Sequence, residues 1–256
     1  GHQAPGPGFG PRPEFYREDI LEGQLRLSVS AALSTGLWQK YQTALTAPHL
    51  LGDRLTLKAE AIRRDYRSLE YYGSGLASTP DMRTDYRLED TSLEGSIAFR
   101  LSRHLRVGGS FGGLWTEIKP GTSEELNSIE TVFDDGSAPG LDRQANYLRS
   151  SVFGQVDYRD DPAGPKAGGN CVTEYTWYDD RSLDAFSFGR WDVDAQQYVA
   201  FFNKTRRFAL RARLSMTDPA AGHRMPFYLQ PYVGGSDDLR GFRPYRFTGP
   251  IAVVYN

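Results

Sequence analysis

The stretch FALRARLSMT, residues 208–217, decides how the rest of the chain is read. Phe208, Leu210, Ala212, Leu214 and Met216 take every second position, against Arg211, Arg213, Ser215 and Thr217. A period of two puts the apolar side chains on one face of an extended strand and the polar ones on the other. The same alternation runs through 24–33, 54–61, 92–101 and 105–115, and more weakly through 147–159 and 190–202. No amphipathic helix of useful length interrupts it, so the chain is expected to be all-β and antiparallel.

The connections have a rhythm of their own. Those near 34–36, 101–105 and 203–207 are tight, while 66–90, 118–146 and 218–249 are long and polar. Short turns at one rim and longer loops at the other belong to an up-and-down barrel. A soluble sandwich mixes hairpins with crossovers and does not sort its loops by length. Alternation alone leaves both open, because the apolar face meets lipid in the first and forms the core in the second. Strands of about 10 residues lean towards a transmembrane β-barrel. So do the aromatics near strand ends (Trp38, Trp115, Tyr158, Trp177, Trp191) and the glycines on the apolar stripe, Gly95, Gly109 and Gly113.

Composition removes other classes. The 256 residues carry 30 basic and 32 acidic side chains, a formal net charge of -2, and no basic stripe, so nucleic acid is not an expected partner. No apolar run is long enough for a helical membrane span. Cys171 is the single cysteine, which rules out an internal disulfide. His2, His49, His104 and His223 sit at no metal-ligand spacing. Asp134 and Asp135, in FDDGSAPGLD, lack the order of a calcium loop. GGSFGG at 108–113 has no strand–helix context for phosphate, and no Gly-x-Ser-x-Gly elbow occurs. No catalytic residue, metal or cofactor is therefore expected, and the protein is not read as an enzyme.

Two motifs carry more. DYRDDPAGPKAGG contains Asp157, Arg159, Asp160, Pro162, Pro165 and Gly168; MPFYLQPYVGGSDDLRGF contains Gly234, Gly235, Leu239, Arg240, Gly241 and Phe242. In this order, and between alternating strands, they resemble the BamA/TamA-type outer-membrane proteins, the bacterial surface antigen superfamily of assembly and translocation barrels. The resemblance makes the first motif a turn at the periplasmic rim and the second the tip of the sixth extracellular loop, folded back into the lumen. YYGSG at 71–75 is similar to a further element of the family.

On that template 208–217 is the eleventh strand, 6–16 the second, and the end of the chain falls in the twelfth of sixteen. Residues 1–256 are thus expected to form a partial barrel domain of about eleven strands. Its lumen-inserting loop spans 218–249, and no periplasmic receiving domain lies in the chain. The resemblance implies a protein integral to the bacterial outer membrane that inserts or translocates client proteins through a lateral seam. A bare barrel acting as a passive pore, or as a structural subunit of an envelope complex, is the alternative. Implied partners are the outer-membrane bilayer, client outer-membrane or secreted proteins, and envelope partner subunits.

Overall fold

The computed structural model describes residues 11–256 apart from 12, 35, 37, 203–205, 236, 237 and 240. Fourteen strands follow one another: β1 (Glu14–Ile20), β2 (Leu25–Leu33), β3 (Gln39–Leu50), β4 (Leu55–Tyr71), β5 (Thr84–Arg100), β6 (Leu105–Pro120), β7 (Asn127–Ser128), β8 (Asn146–Asp157), β9 (Gly168–Asp180), β10 (Phe188–Phe201), β11 (Arg206–Pro219), β12 (Tyr232–Val233), β13 (Phe247–Thr248) and β14 (Ile251–Tyr255). Eleven of them form one continuous wall in the order β1-β2-β3-β4-β5-β6-β8-β9-β10-β11-β14. Each wall strand pairs antiparallel with the next, the arrangement of an up-and-down barrel wall. The two-residue β7 lies parallel to the start of β5, and β12 pairs with β13 in a separate hairpin.

Which face is apolar now has an answer. Leu93, Ile97, Phe111, Val152, Phe208 and Val253 all point to one side of the wall and are exposed. The polar face is the sheltered one, with Ser92, Thr116, Ser151 and Thr217 buried. Among the described residues no second sheet covers the apolar side, as a sandwich would require. An exposed apolar band of this extent has no place in water and is the surface that hydrocarbon solvates.

Where that band ends can be read from the outward charges. Beyond Leu93 and Trp115 the outward positions of β4, β5 and β6 become Arg63, Asp65, Arg87, Glu89, Glu117 and Lys119. They pair among themselves: Arg87 with Asp65 at 2.8 Å, Lys119 with Glu89 at 2.8 Å and with Glu117 at 3.1 Å. Paired charges on a lipid-facing surface belong above the bilayer. β4 and β5, at 17 residues each, therefore run well past the roughly 9–11 needed to cross it. This corrects the expected connections, since the loops span only 72–83 and 121–145 rather than 66–90 and 118–146. The expected strand 6–16 is displaced as well: the first strand is Glu14–Ile20, extended by the bonds of Ala31 and Leu33 to Pro13 and Pro11, while residues 1–10 lie outside the described residues.

Above the bilayer the outer loops pack into a cap with two aromatic clusters. One joins Tyr71, Tyr86, Ile129, Phe133 and Phe227; the other joins Leu114, Tyr147, Phe186, Phe188 and Met225. Trp38, expected at an interface, is 5% exposed and stacks on Tyr66 at 4.5 Å. Tyr41 and Leu45 on its strand face lipid, so its parity turns it inward. Trp115, Tyr158 and Trp191 do keep exposed positions.

Candidate functional site

The motif 157–168 forms the connection between β8 and β9. Asp157, at the end of β8, receives both Nε and Nη2 of Arg159, at 2.9 and 2.6 Å. Asp160 turns its Oδ1 onto the N–H groups of Lys166 (2.9 Å), Asp161 (3.0 Å) and Ala167 (3.1 Å). The bonds from Ala167 and Lys166 hold its carboxyl below the ordinary value. Pro162 and Pro165 lack an N–H and so leave no donor unpaired in this turn; their carbonyls accept from Arg159 and, at 2.6 Å, from Arg207 at the start of β11. Gly168 has φ of +91°, and a Cβ there would sit 2.2 Å from the Tyr158 carbonyl oxygen. Only glycine fits that position.

The second motif lies on the segment that leaves β11 and returns as β14. Its outgoing arm is tied to neighbouring cap loops, Arg224 N–H to the Ala185 carbonyl and Phe227 N–H to that of Pro139. Phe227 then fills the first aromatic cluster against Tyr71 and Tyr86, with ring centroids 5.1 and 5.0 Å away. β12 and β13 close a stem around the tip. Gly234, Gly235 and Gly241 take φ of +141°, +88° and +92°, and a Cβ on Gly234 would meet the Arg243 carbonyl at 2.2 Å. Leu239 N–H donates to the Gly235 carbonyl at 3.1 Å, and Phe242 N–H to that of Leu239 at 3.3 Å. Phe242 packs on Phe247 at 5.3 Å. Arg240, the motif's guanidinium, lies outside the described residues.

Four ties fix this segment to the wall and the cap. Asp238, beside Arg240, pairs with Arg213 on the inner face of β11. Arg243 donates to Glu70 at 3.0 Å, and Glu70 also receives Arg83 at 2.6 Å and the Tyr72 hydroxyl. Arg246 lies over the rings of Tyr72 (4.9 Å) and Phe247 (4.6 Å) and donates to Ser78 at 2.9 Å. Ser74 Oγ donates to Gln230 at 2.8 Å and its backbone bridges to Thr248. YYGSG is thus the surface on which the returning arm docks. Sequence reasoning singled out the motif itself but missed Glu70, Arg213 and Asp238. Glu70 and Arg243 stand 173 positions apart, a pairing that no local pattern reports.

The inner face facing this segment is polar and internally compensated. Arg64 donates to both oxygens of Asp90 (3.2 and 3.1 Å), Arg149 to Glu94 (3.1 Å), and Arg190 to both oxygens of Asp192 (2.8 and 3.0 Å). Asp134 and Asp135 are occupied as well: Asp134 accepts from Ser137 and Asp135 from Arg224. Among the described residues no grouping of histidine, cysteine and carboxylates could hold a metal ion.

An antiparallel wall with an exposed apolar band outside, charge pairs inside and a long connection tied back against that inner face is the wall of a transmembrane β-barrel. Residues 23–251 match the Omp85 superfamily domain, and the chain belongs to that superfamily. Its members form protein insertion and translocation machinery rather than enzymes. The crystal structure of BamA from Haemophilus ducreyi lacking POTRA domains 1–3 is similar in fold, with a TM-score of 0.70 at 13% identity, covering 94% of this chain and 44% of that one. CdiB from Acinetobacter baumannii is similar at a TM-score of 0.53 and 11% identity, covering 94% and 41%. The chain spans less than half the length of either structure.

Proposed function

We propose that residues 1–256 are part of a sixteen-stranded barrel that inserts or translocates client polypeptides through a lateral seam, with segment 218–249 acting as a lumen-inserting loop. The observation that supports this best is the tethering of that segment at its outgoing arm, its tip and its returning arm. A long segment held across the inner face narrows the lumen that passive diffusion would use. A barrel that must open one seam while keeping its shape gains a brace. Arg240 is the brace's central guanidinium, and Gly234, Gly235, Leu239, Gly241 and Phe242 shape the turn that presents it. The turn formed by Asp157, Arg159, Asp160, Pro162, Pro165 and Gly168 holds the periplasmic rim rigid below it. An incoming client strand pairs with the exposed seam edge, which supplies backbone hydrogen bonds that lipid lacks.

The test uses the full-length protein in vesicles, with an unfolded outer-membrane barrel added as client and its folding followed by heat-modifiable gel mobility. Faster client folding with the wild-type protein, and slower folding with Arg240→Ala at equal insertion, supports the reading. Vesicles that leak ions without accelerating client folding would replace it with the passive pore. Equal client folding by wild type and Arg240→Ala would remove the loop from the mechanism.

A further inference from the structure

Most charges printed on the inner wall pair with one another, as Arg64 does with Asp90 and Arg211 with Asp194. At the periplasmic end of β4, β5 and β6, Arg54, Arg100, Arg103 and Arg106 are all exposed. Arg100 and Arg106 stand directly opposite each other in the β5–β6 ladder, and the Arg100 N–H donates to the Arg54 carbonyl at 2.7 Å. Arg54, Arg100 and Arg106 therefore form a row across three neighbouring strands, with Arg103 in the turn beneath.

Among the described residues none of the four makes an ion pair. The nearby carboxylates are already engaged: Asp53 by His49 at 2.6 Å and Asp157 by Arg159. The one aromatic contact in the row is Arg106 over Phe153, 6.0 Å from its centroid. Like charges opposite one another on a sheet destabilise it. Elsewhere on these strands the chain compensates: Lys58 with Glu60, Arg64 with Asp90, Arg149 with Glu94.

The side on which the row lies selects its partner. Arg54, Arg100 and Arg106 share strand parity with Lys58, Glu60 and Glu94, the inner face. Leu55, Phe99 and Leu105 point the other way, into lipid. Bilayer headgroups lie outside the wall, whereas a chain entering the barrel from the periplasm passes over the row. We infer that this row of guanidiniums is an entry site for an acidic polypeptide segment at the periplasmic mouth. Carboxylates on such a segment match the guanidinium fork, and the field of four cations raises their local concentration before contact. That the occupant is a polypeptide rests on the function proposed above; the charge row does not.

The experiment uses the full-length protein in phosphatidylcholine vesicles, with folding verified by gel mobility. A fluorescein-labelled peptide of alternating glutamate and serine is titrated by anisotropy, beside its glutamine counterpart. The expected result is binding of the glutamate peptide alone, weakening as salt shortens the screening length, and at least about tenfold weaker when Arg54, Arg100 and Arg106 are all replaced by Gln. The triple Lys variant, which keeps the charge, is expected to retain most of the binding. Should the triple Gln protein fail to fold, the single variant Arg100→Gln is read instead, with a smaller loss expected. Equal binding of the two peptides, or binding unchanged by the Gln substitutions, overturns the proposal. So does binding that requires phosphatidylglycerol in the vesicles, which would assign the row to lipid headgroups. Client folding is scored separately: peptide binding without client acceleration leaves this site standing and removes the functional reading.

Discussion

Arg213 on the inner face of β11 pairs with Asp238, two residues before Arg240, and so ties the loop tip to the wall by a side chain of the tip itself. Both side chains are sheltered, Asp238 at 7% and Arg213 at 19% exposure. Asp238→Ala leaves a guanidinium unpaired in a confined space. A fully buried pair broken on one side costs about 3–5 kcal/mol, and partial exposure of Arg213 brings the expected loss to about 1–2 kcal/mol. Urea titration followed by heat-modifiable mobility should show that loss, and protease nicking of the loop should rise with it. Restoring neutrality with Arg213→Met in the Asp238→Ala background should recover part of the stability but not the protection of the loop. A single Asp238→Ala variant as stable and as protected as wild type would mean the pair is incidental.

Glu70 is the corresponding hub at the returning arm, since one carboxylate holds Arg83, Arg243 and the Tyr72 hydroxyl. Glu70→Gln keeps the shape and removes the charge that two guanidiniums share. The expected cost is about 1–2 kcal/mol, from weakening charge-assisted bonds in a partly exposed setting. Ser74→Ala, which removes one neutral bond to Gln230, should cost about 0.5–1 kcal/mol. Hydrogen exchange across 243–249 is the readout. The arm should exchange faster in Glu70→Gln than in Ser74→Ala, and the reverse order would assign the docking to the backbone bridge of Ser74.

The turn at 157–168 makes a prediction about acid. The amides of Ala167 and Lys166 hold the Asp160 carboxyl below its ordinary value near 3.8. A depressed folded value means the carboxylate's contribution is present above the unfolded value and is lost as pH falls through the folded one. At neutral pH the turn should therefore be insensitive to small pH changes, with loosening confined to pH below about 4. The amide resonances of Ala167 and Lys166 should titrate together in that range in wild type. In Asp160→Asn they should not titrate, and an Asn variant that still shows the transition would place it on another group.

The strands were legible wherever lipid imposes alternation, and 208–217 lies within β11, paired along β10. Alternation failed as a guide where β4 and β5 leave the bilayer. Arg63, Asp65, Arg87 and Glu89 occupy outward positions there because water, not hydrocarbon, faces them, so a ladder that runs on to Tyr71 and Thr84, with a register shift between Tyr66 and Leu69, reads as loop. The turn at 157–168 could be read because its bonds are local, within seven positions for Asp160. The partners of the loop could not, because Arg213 and Glu70 lie 25 and 173 positions from the loop residues they bind. Trp38 differs for a simpler reason: a place near a strand end suggests an interface, but its parity is opposite to that of Tyr41 and Leu45 and turns it inward.

The assignment of faces is open to a direct test by moving one charge across the wall. Phe111 is 59% exposed on the lipid side of β6, and Ser96 stands on the opposite face of the neighbouring strand. An arginine near the bilayer midplane on the lipid face costs about 2–4 kcal/mol, because its desolvation has no compensation there. Phe111→Arg should therefore fold into vesicles in lower yield and at lower urea resistance. Ser96→Arg, on the polar face opposite Lys58 and beside Glu94, should lose clearly less than Phe111→Arg, since water and carboxylates offset the like charge there. In a soluble sandwich the same apolar face would be packed against a second sheet, and Phe111→Arg would abolish folding in detergent-free buffer while Ser96→Arg stayed soluble. The two architectures thus agree on which variant is harmful and differ on where the wild type folds. Folding that depends on lipid or detergent for both Ser96→Arg and wild type establishes the outward apolar band as a bilayer contact; folding in buffer alone overturns it.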